Sequence, residues 1–308
     1  MFVFIIKRLL MFIPVLMGVV LVIFIILDFT PGDPAQIILG DMATPAEVTK
    51  LREEMGLNDP LIFRYGRYVM GLAQGTMGVS YKSGMPVLEE VAARFPNTLK
   101  LAVSSTLLAV ILALPLGIIA AIKQNSIFDS VSMLFALIGI TMPVFWLGLL
   151  LMLLFSLRLG WLPVSGADTL RHLVLPSITL GFMHMAAIAR VTRSSMLEVI
   201  RQDYIRTALS KGLPFRTVIT RHALPNAIIP AITVTGLQIG QLLGGAILTE
   251  TVFSWPGVGR LLIQSIYSRD TPLVLGCIVV LCLCFSIVNL IVDLLYAAVD
   301  PRLRARFK

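Results

Sequence analysis

Asp203-Tyr-Ile-Arg-Thr-Ala-Leu-Ser-Lys-Gly212, followed by His222-Ala-Leu-Pro225, is a charged, helix-forming loop set between long apolar runs. Upstream, Ser195, Met196, Val199, Ile200, Tyr204 and Ala208 recur at helical spacing while Arg193, Arg201 and Arg206 fall on other faces, so a helix is expected to run out of the preceding apolar segment. Gly212-Leu213-Pro214 is a stop and restart, because glycine adopts the left-handed cap conformation and proline suits the first position of a new helix. The expected product is a sharp helix-turn-helix elbow. Such an elbow moves as one body and can transmit force to a soluble partner; the bland alternative is an arginine cluster that only fixes topology.

The rest of the chain dictates that this elbow projects from a membrane. Of the 308 residues 57% are hydrophobic and 14% charged, and the mean hydropathy is +0.91, whereas soluble domains carry roughly 25% charge. A hydrocarbon layer about 30 Å thick needs about 20 helical residues. The stretches that qualify are Leu9–Leu27, Leu99–Ile122, Val131–Leu157, Leu173–Ala189, Ala227–Leu248 and Leu273–Ala297. Lys7-Arg8, Lys123, the arginines from Arg190 to Arg221 and the tail Arg302, Arg304, Arg306 and Lys308 then share one side, expected to be cytoplasmic with both termini. The net charge of +8 thus reads as topology, and nucleic-acid binding is excluded because no soluble basic domain remains. Lys7-Arg8 and its apolar run resemble the start of a signal peptide, but the run ends in Asp28-Phe-Thr-Pro-Gly-Asp-Pro34 with no small-residue cleavage site, so it is read as a span.

Residues 30–98 fall on the opposite side. Thr44-Pro45-Ala46-Glu47 is a capping box with proline at the first helical position, and Gly56 can stop that helix. Asp59-Pro60 starts another, with Leu61, Tyr65, Tyr68, Val69 and Leu72 forming an apolar stripe suited to the membrane surface or to neighbouring spans. Interrupted by Gly71, Gly75, Gly78 and Gly84, this segment buries too little to stand comfortably alone and is expected to form a lid of short helices. Cys277, Cys282 and Cys284 lack metal-type spacing and read as packing residues, and His172, His184 and His222 are too dispersed for a metal site.

Within the spans the polar and small residues stand out. Gly236, Gly240 and Gly244 repeat every four residues, a face for close helix approach. Pro143, preceded by Gly139, and Pro115 with Gly117 interrupt helical hydrogen bonding at membrane depth, tolerated at a packing kink or beside a wet path. His184 is an ionisable residue near mid-span, either a path residue or a neutral imidazole bonded to a backbone carbonyl. Pro143, Phe145, His184 and Gln238 are the candidate translocation-path residues. Glu250, Asp293 and Asp28 lie near span ends, where water or a cap removes most of their cost.

No Gly-Lys dipeptide occurs, so the chain has no phosphate-cradling P-loop, and any ATP must be hydrolysed elsewhere. A gradient-driven secondary transporter is the alternative class, but no internal repeat is evident and acidic residues are scarce at mid-depth. An intramembrane enzyme lacks its catalytic set, with neither HExxH nor a serine beside a buried base.

Arg206-Thr207-Ala208, three residues, Gly212, nine residues and His222-Ala223-Leu224-Pro225 resemble the EAA loop of bacterial ABC importer permeases. Arg206 and His222 replace the glutamate and isoleucine of the general pattern, and both departures resemble the peptide/nickel branch. Lys7-Arg8-Leu9, Pro31-Gly32-Asp33-Pro34, Phe253-Ser-Trp-Pro-Gly-Val-Gly259, Val292-Asp-Leu-Leu-Tyr296 and Asp300-Pro301 extend the resemblance over nearly the whole chain. It implies an all-α integral membrane protein with the six-span type I importer permease fold. The expected divisions are residues 1–94 (first span and external helices), 95–298 (five-helix core with a coupling loop at about 190–226) and 299–308 (basic tail). It also implies a second homologous permease, two ATP-binding subunits carrying ATP and magnesium, and an extracytoplasmic binding protein, with no cofactor or metal on this chain and a place in the bacterial inner membrane. The residues carried over as the ATPase contact are Asp203, Tyr204, Arg206, Thr207, Ala208, Ser210, Lys211 and Gly212. The substrate implied is a dipeptide or short oligopeptide, with glutathione and chelated nickel as alternatives on the same machinery.

Overall fold

The computed structural model describes residues 2–40 and 42–299, and among these it is helical throughout apart from loops and one isolated antiparallel bridge, Val79 with Pro86. The basic tail and Asp300-Pro301 lie outside the described residues. The helices in order are α1 Phe2–Phe29, α2 Pro34–Leu39, α3 Pro45–Glu54, α4 Leu61–Ala73, α5 Val87–Ile122, α6 Ile127–Thr141 and α7 Val144–Leu151, which continues as a π-helical turn Met152–Arg158. Then follow α8 Leu170–Ile200, α9 Asp203–Ser210, α10 Phe215–Thr217 with a π-helical turn Val218–Ala223 leading into α11 Leu224–Val252, α12 Val258–Tyr267 and α13 Thr271–Val299. Among the described residues five helices are long and apolar enough to cross a membrane, and α6 with α7 and its π-helical turn makes a sixth apolar segment that is bent by 110°.

Two compact units share the described elements: residues up to 98 with 256–290, and residues 99–255 with 291–299. In the first, Asp33 caps α2 by accepting from the Ala35 N–H at 3.0 Å, and Thr44 and Glu47 close the predicted capping box of α3. The backbone N–H of Thr44, and then its hydroxyl, hold the Glu47 carboxyl below its ordinary pKa. The stripe of α4 packs on neighbouring spans, because Tyr65, Tyr68 and Leu72 cover Val20 and Phe24 of α1 and Leu275 and Val279 of α13. Phe24 meets Tyr65 and Tyr68 edge-on at 5.9 and 5.7 Å, and the Tyr65 hydroxyl donates to the Met17 carbonyl at 3.2 Å. Asp28 finds its partner in Arg64.

In the second unit α8 is the central helix, packed on α6, α7 and α11. Glycines allow the approach: a side-chain carbon at Gly181 would lie 2.8 Å from the Ser105 carbonyl, and one at Gly117 would lie 2.6 Å from the Ala189 carbonyl. Without a solvent-driven hydrophobic force between spans, such backbone proximity is what dispersion packing in lipid requires. The expected single span Val131–Leu157 is instead broken at Met142–Pro143. Proline forces its predecessor out of the helical region, and Met142 sits at φ −78°, ψ 126°. The span expected at Leu99–Ile122 belongs to a 36-residue helix, about 54 Å long at 1.5 Å per residue, so it overshoots the hydrocarbon layer, and the expected division at 94/95 falls inside it. Glu250 is fully buried near the end of α11, where the sequence placed it in contact with water or a cap.

Candidate functional site

The elbow is built from both ends. Helix α8 continues past the expected limit of Ala189 to Ile200, Gln202 is extended (φ −71°, ψ 150°), and α9 begins at Asp203 with its acidic residue in the first turn, favourable for the helix dipole. Gly212 takes φ +78°, a left-handed conformation in which a side chain is strained, while its N–H bonds the Leu209 carbonyl at 2.9 Å. Pro214 then precedes α10.

Burial divides α9 into two faces. Ile205 and Ala208 turn inward onto Ala121, Met196, Val218, Ile219 and Ala223, forming a core beneath the elbow. Asp203, Tyr204, Arg206, Thr207, Ser210, Lys211 and Gly212 are exposed. Ala208, of the expected contact set, instead lies three residues from Ile205 and shares its buried stripe. On the outer face Arg206 and Asp203 form a loose ion pair at 3.8 Å. The Tyr204 hydroxyl accepts from Asn226 Nδ2 at 3.0 Å, and Asn226 also donates to the His222 carbonyl at 3.2 Å, so the elbow is tied to the π-helical turn that follows it.

A second contact, which sequence reading missed, braces the stem. Arg193 of α8 donates two parallel hydrogen bonds to Asp129 at the start of α6, Nε to Oδ1 at 2.6 Å and Nη2 to Oδ2 at 2.7 Å. The Asp129 side chain is 7% exposed and also accepts from the Asn125 N–H at 3.0 Å. Just past the end of α8, Arg201 donates to Gln124 at 3.3 Å. The 64-residue separation of Asp129 and Arg193 left no local signal; a lone aspartate just before an apolar run was the available hint.

Of the four expected path residues, the structure brings two together. His184 of α8 is 1% exposed, and its Nδ1 lies 2.7 Å from Gln238 Oε1 on α11. With the amide oxygen as acceptor the proton sits on Nδ1, and Nε2 is a buried acceptor with no partner among the described residues. Pro143 and Phe145 stay exposed at the α6–α7 bend. Gly236 is a tight crossing, where a side-chain carbon would lie 2.7 Å from Val292, and Gly240 is buried. Gly244 is exposed with nothing within 4 Å, because the glycine stripe drifts off the α13 contact as α11 advances. Among the described residues no cluster of His, Cys, Asp or Glu could hold a metal ion.

The structure thus sets an elbow with a charged outer face on a bundle of long apolar helices. Comparison with known proteins agrees. Residues 113–305 match the family of binding-protein-dependent transport system inner membrane components, and residues 1–102 match the N-terminal region of the corresponding membrane components. The chain is 45% identical to the dipeptide transport system permease protein DppB of Alkalihalophilus pseudofirmus over 97% of its own length and 98% of that protein's. It is also 45% identical to the glutathione transport system permease protein GsiC of Escherichia coli, over 98% of each. Among solved structures, an inward-facing MetNI methionine ABC transporter shares the fold with a TM-score of 0.59 at 18% identity, covering 69% of this chain and 97% of that one. The chain belongs to the binding-protein-dependent ABC importer permeases. It is a multi-pass membrane subunit and not itself an enzyme; the family works with an ATPase and a binding protein.

Proposed function

We propose that this permease forms half of the path for dipeptides or short oligopeptides, paired with a second, homologous permease, and that the elbow is the docking element for the ATPase. The observation that carries the reading is the division of α9 into a buried face, Ile205 and Ala208, and an exposed polar one, Asp203, Tyr204, Arg206, Thr207, Ser210 and Lys211. A helix clamped to its bundle on one side and polar on the other passes on displacement without bending. With the elbow and both termini on the cytoplasmic side of a bacterial inner membrane, two ATPase subunits holding ATP and magnesium draw the paired elbows together. This chain itself binds neither. The path then alternates between its two open states, a rigid-body switch between conformations.

Relatives named for dipeptide and for glutathione transport, at equal identity, support a zwitterionic peptide as cargo and keep glutathione as the second reading. Chelated nickel, the third substrate that the resemblance to this branch implies, has no cluster of metal-binding residues to support it among the described residues. The test is Gly212→Pro or Gly212→Trp in the complex: insertion of the chain persists, while copurifying ATPase and peptide uptake in proteoliposomes fall at least tenfold. A variant that retains a normally stimulated ATPase overturns the docking role.

A further inference from the structure

A cleft of about 690 Å³ lies in the unit formed by residues up to 98 and 256–290, between the start of α5, helix α12 and the turn at 79–86. Its wall is pinned. The Val79–Pro86 bridge is flanked by Ser80 N–H to the Met85 carbonyl at 2.9 Å and Val87 N–H to the Gly78 carbonyl at 3.1 Å. Buried Asp270, 1% exposed, accepts from the Ser80 hydroxyl and from the Tyr81 and Lys82 N–H groups, both at 3.2 Å. Its carboxylate is thereby committed to the loop. The turn presents Lys82 and Ser83 to the cleft, and Gln264 and Tyr267 line it from α12.

The charges in the cleft are not matched to each other. Arg94 is half-buried and lines the cleft, yet it makes no hydrogen bond or ion pair with any described residue. Glu90 stands one helical turn away on α5, the spacing at which such residues pair, but its carboxylate takes the Ser83 hydroxyl instead. A guanidinium that has lost part of its water without gaining a partner is a ready fork for a carboxylate. A carboxylate nearby, held by one hydroxyl, keeps acceptor sites open for an ammonium. The volume lies within the roughly 300–1,000 Å³ of small-molecule pockets.

Resting on the reading that the cargo is a short peptide, we propose that this cleft is a way-station for zwitterionic peptides. Arg94, aided by Lys82, takes the terminal carboxylate, and Glu90 takes the ammonium. A solute with both charges satisfies both groups, whereas one with a single charge leaves the other unmatched; this is selection by unpaired groups.

The experiment uses the complete transporter in proteoliposomes, with binding protein preloaded with radiolabelled alanyl-alanine or glutathione. Arg94→Gln and Glu90→Gln should each lower uptake about fivefold or more while ATPase stimulation by the loaded binding protein stays within twofold. Arg94→Lys should keep at least half of the uptake. Unchanged uptake in Arg94→Gln overturns the proposal. So does a parallel loss of uptake and of binding-protein affinity, which assigns Arg94 to docking of that protein's acidic surface. An Arg94→Lys complex that assembles normally but is as impaired as Arg94→Gln also overturns it. If the unmodified transporter moves neither peptide, the substrate reading fails, and this is distinguishable because no variant enters that measurement.

Discussion

Arg193 and Arg94 are the same residue type in two regions that use it in opposite ways. Around Arg193 the second unit supplies a full complement: a bidentate carboxylate that itself holds the Asn125 N–H, so the charge is spent on structure. Around Arg94 the first unit supplies no partner among the described residues, although Glu90 is within reach along the helix. A matched half-buried charge stabilises a particular arrangement and is costly to break; an unmatched one adds little stability and keeps its capacity for a ligand. The contrast separates residues that hold this protein together from residues available to its cargo.

The largest effect should come from breaking the matched pair. Arg193→Ala strands the Asp129 carboxylate and should cost about 2–4 kcal/mol, somewhat below the value for a fully buried pair because Arg193 is partly exposed, read as a lowered midpoint of thermal unfolding in detergent. The double change Arg193→Leu with Asp129→Leu should lose less than Arg193→Ala alone; equal or greater loss would show that the charge pairing is not what stabilises the site. Next, the neutral pair sharpens the scale: His184→Ala combined with Gln238→Ala should give a coupling of about 0.5–1.5 kcal/mol in a double-mutant cycle, the range for hydrogen bonds between spans. Arg94→Gln should change stability by less than about 0.5 kcal/mol, and a loss comparable to that of Arg193→Ala would erase the distinction.

The smallest effect concerns a carboxylate whose partners are a backbone N–H and a hydroxyl. Glu47 has its pKa depressed in the folded chain, so its contribution is present above the unfolded value and is lost as pH falls through the folded one. Amide exchange in α3 should therefore quicken, relative to the remaining helices, below about pH 4. Glu47→Gln should flatten that dependence.

What the sequence conveyed depended on how far apart the interacting residues lie. The elbow was legible because Gly212, Leu213 and Pro214 write a stop and a restart within three positions, and the capping of α3 because Thr44 and Glu47 are one turn apart. The break at Pro143 was signalled, yet the long apolar run through it favoured one continuous span over a 110° bend. The inward turn of Ala208 was not legible because a family pattern marks which residues recur, not which way each faces, and Ile205 on the same stripe was the clue. The Arg193–Asp129 clamp, the burial of Glu250 and the open surface at Gly244 depend on packing between distant helices, which periodicity within one helix does not encode.

The widened turn Val218–Ala223 has a consequence for how this subunit can diversify. A π-turn is equivalent to one extra residue inserted into an α-helix, and each residue of an α-helix advances the azimuth by about 100°. The wide turn absorbs that residue locally and keeps the helix on either side in phase, so deleting a single codon there would restore regular winding with the elbow still facing as it does, whereas the same deletion within the α-helical part of α11 would swing the two sides apart by roughly that angle. The chain between elbow and bundle can thus change length by one residue at this turn with no remodelling of the membrane interior.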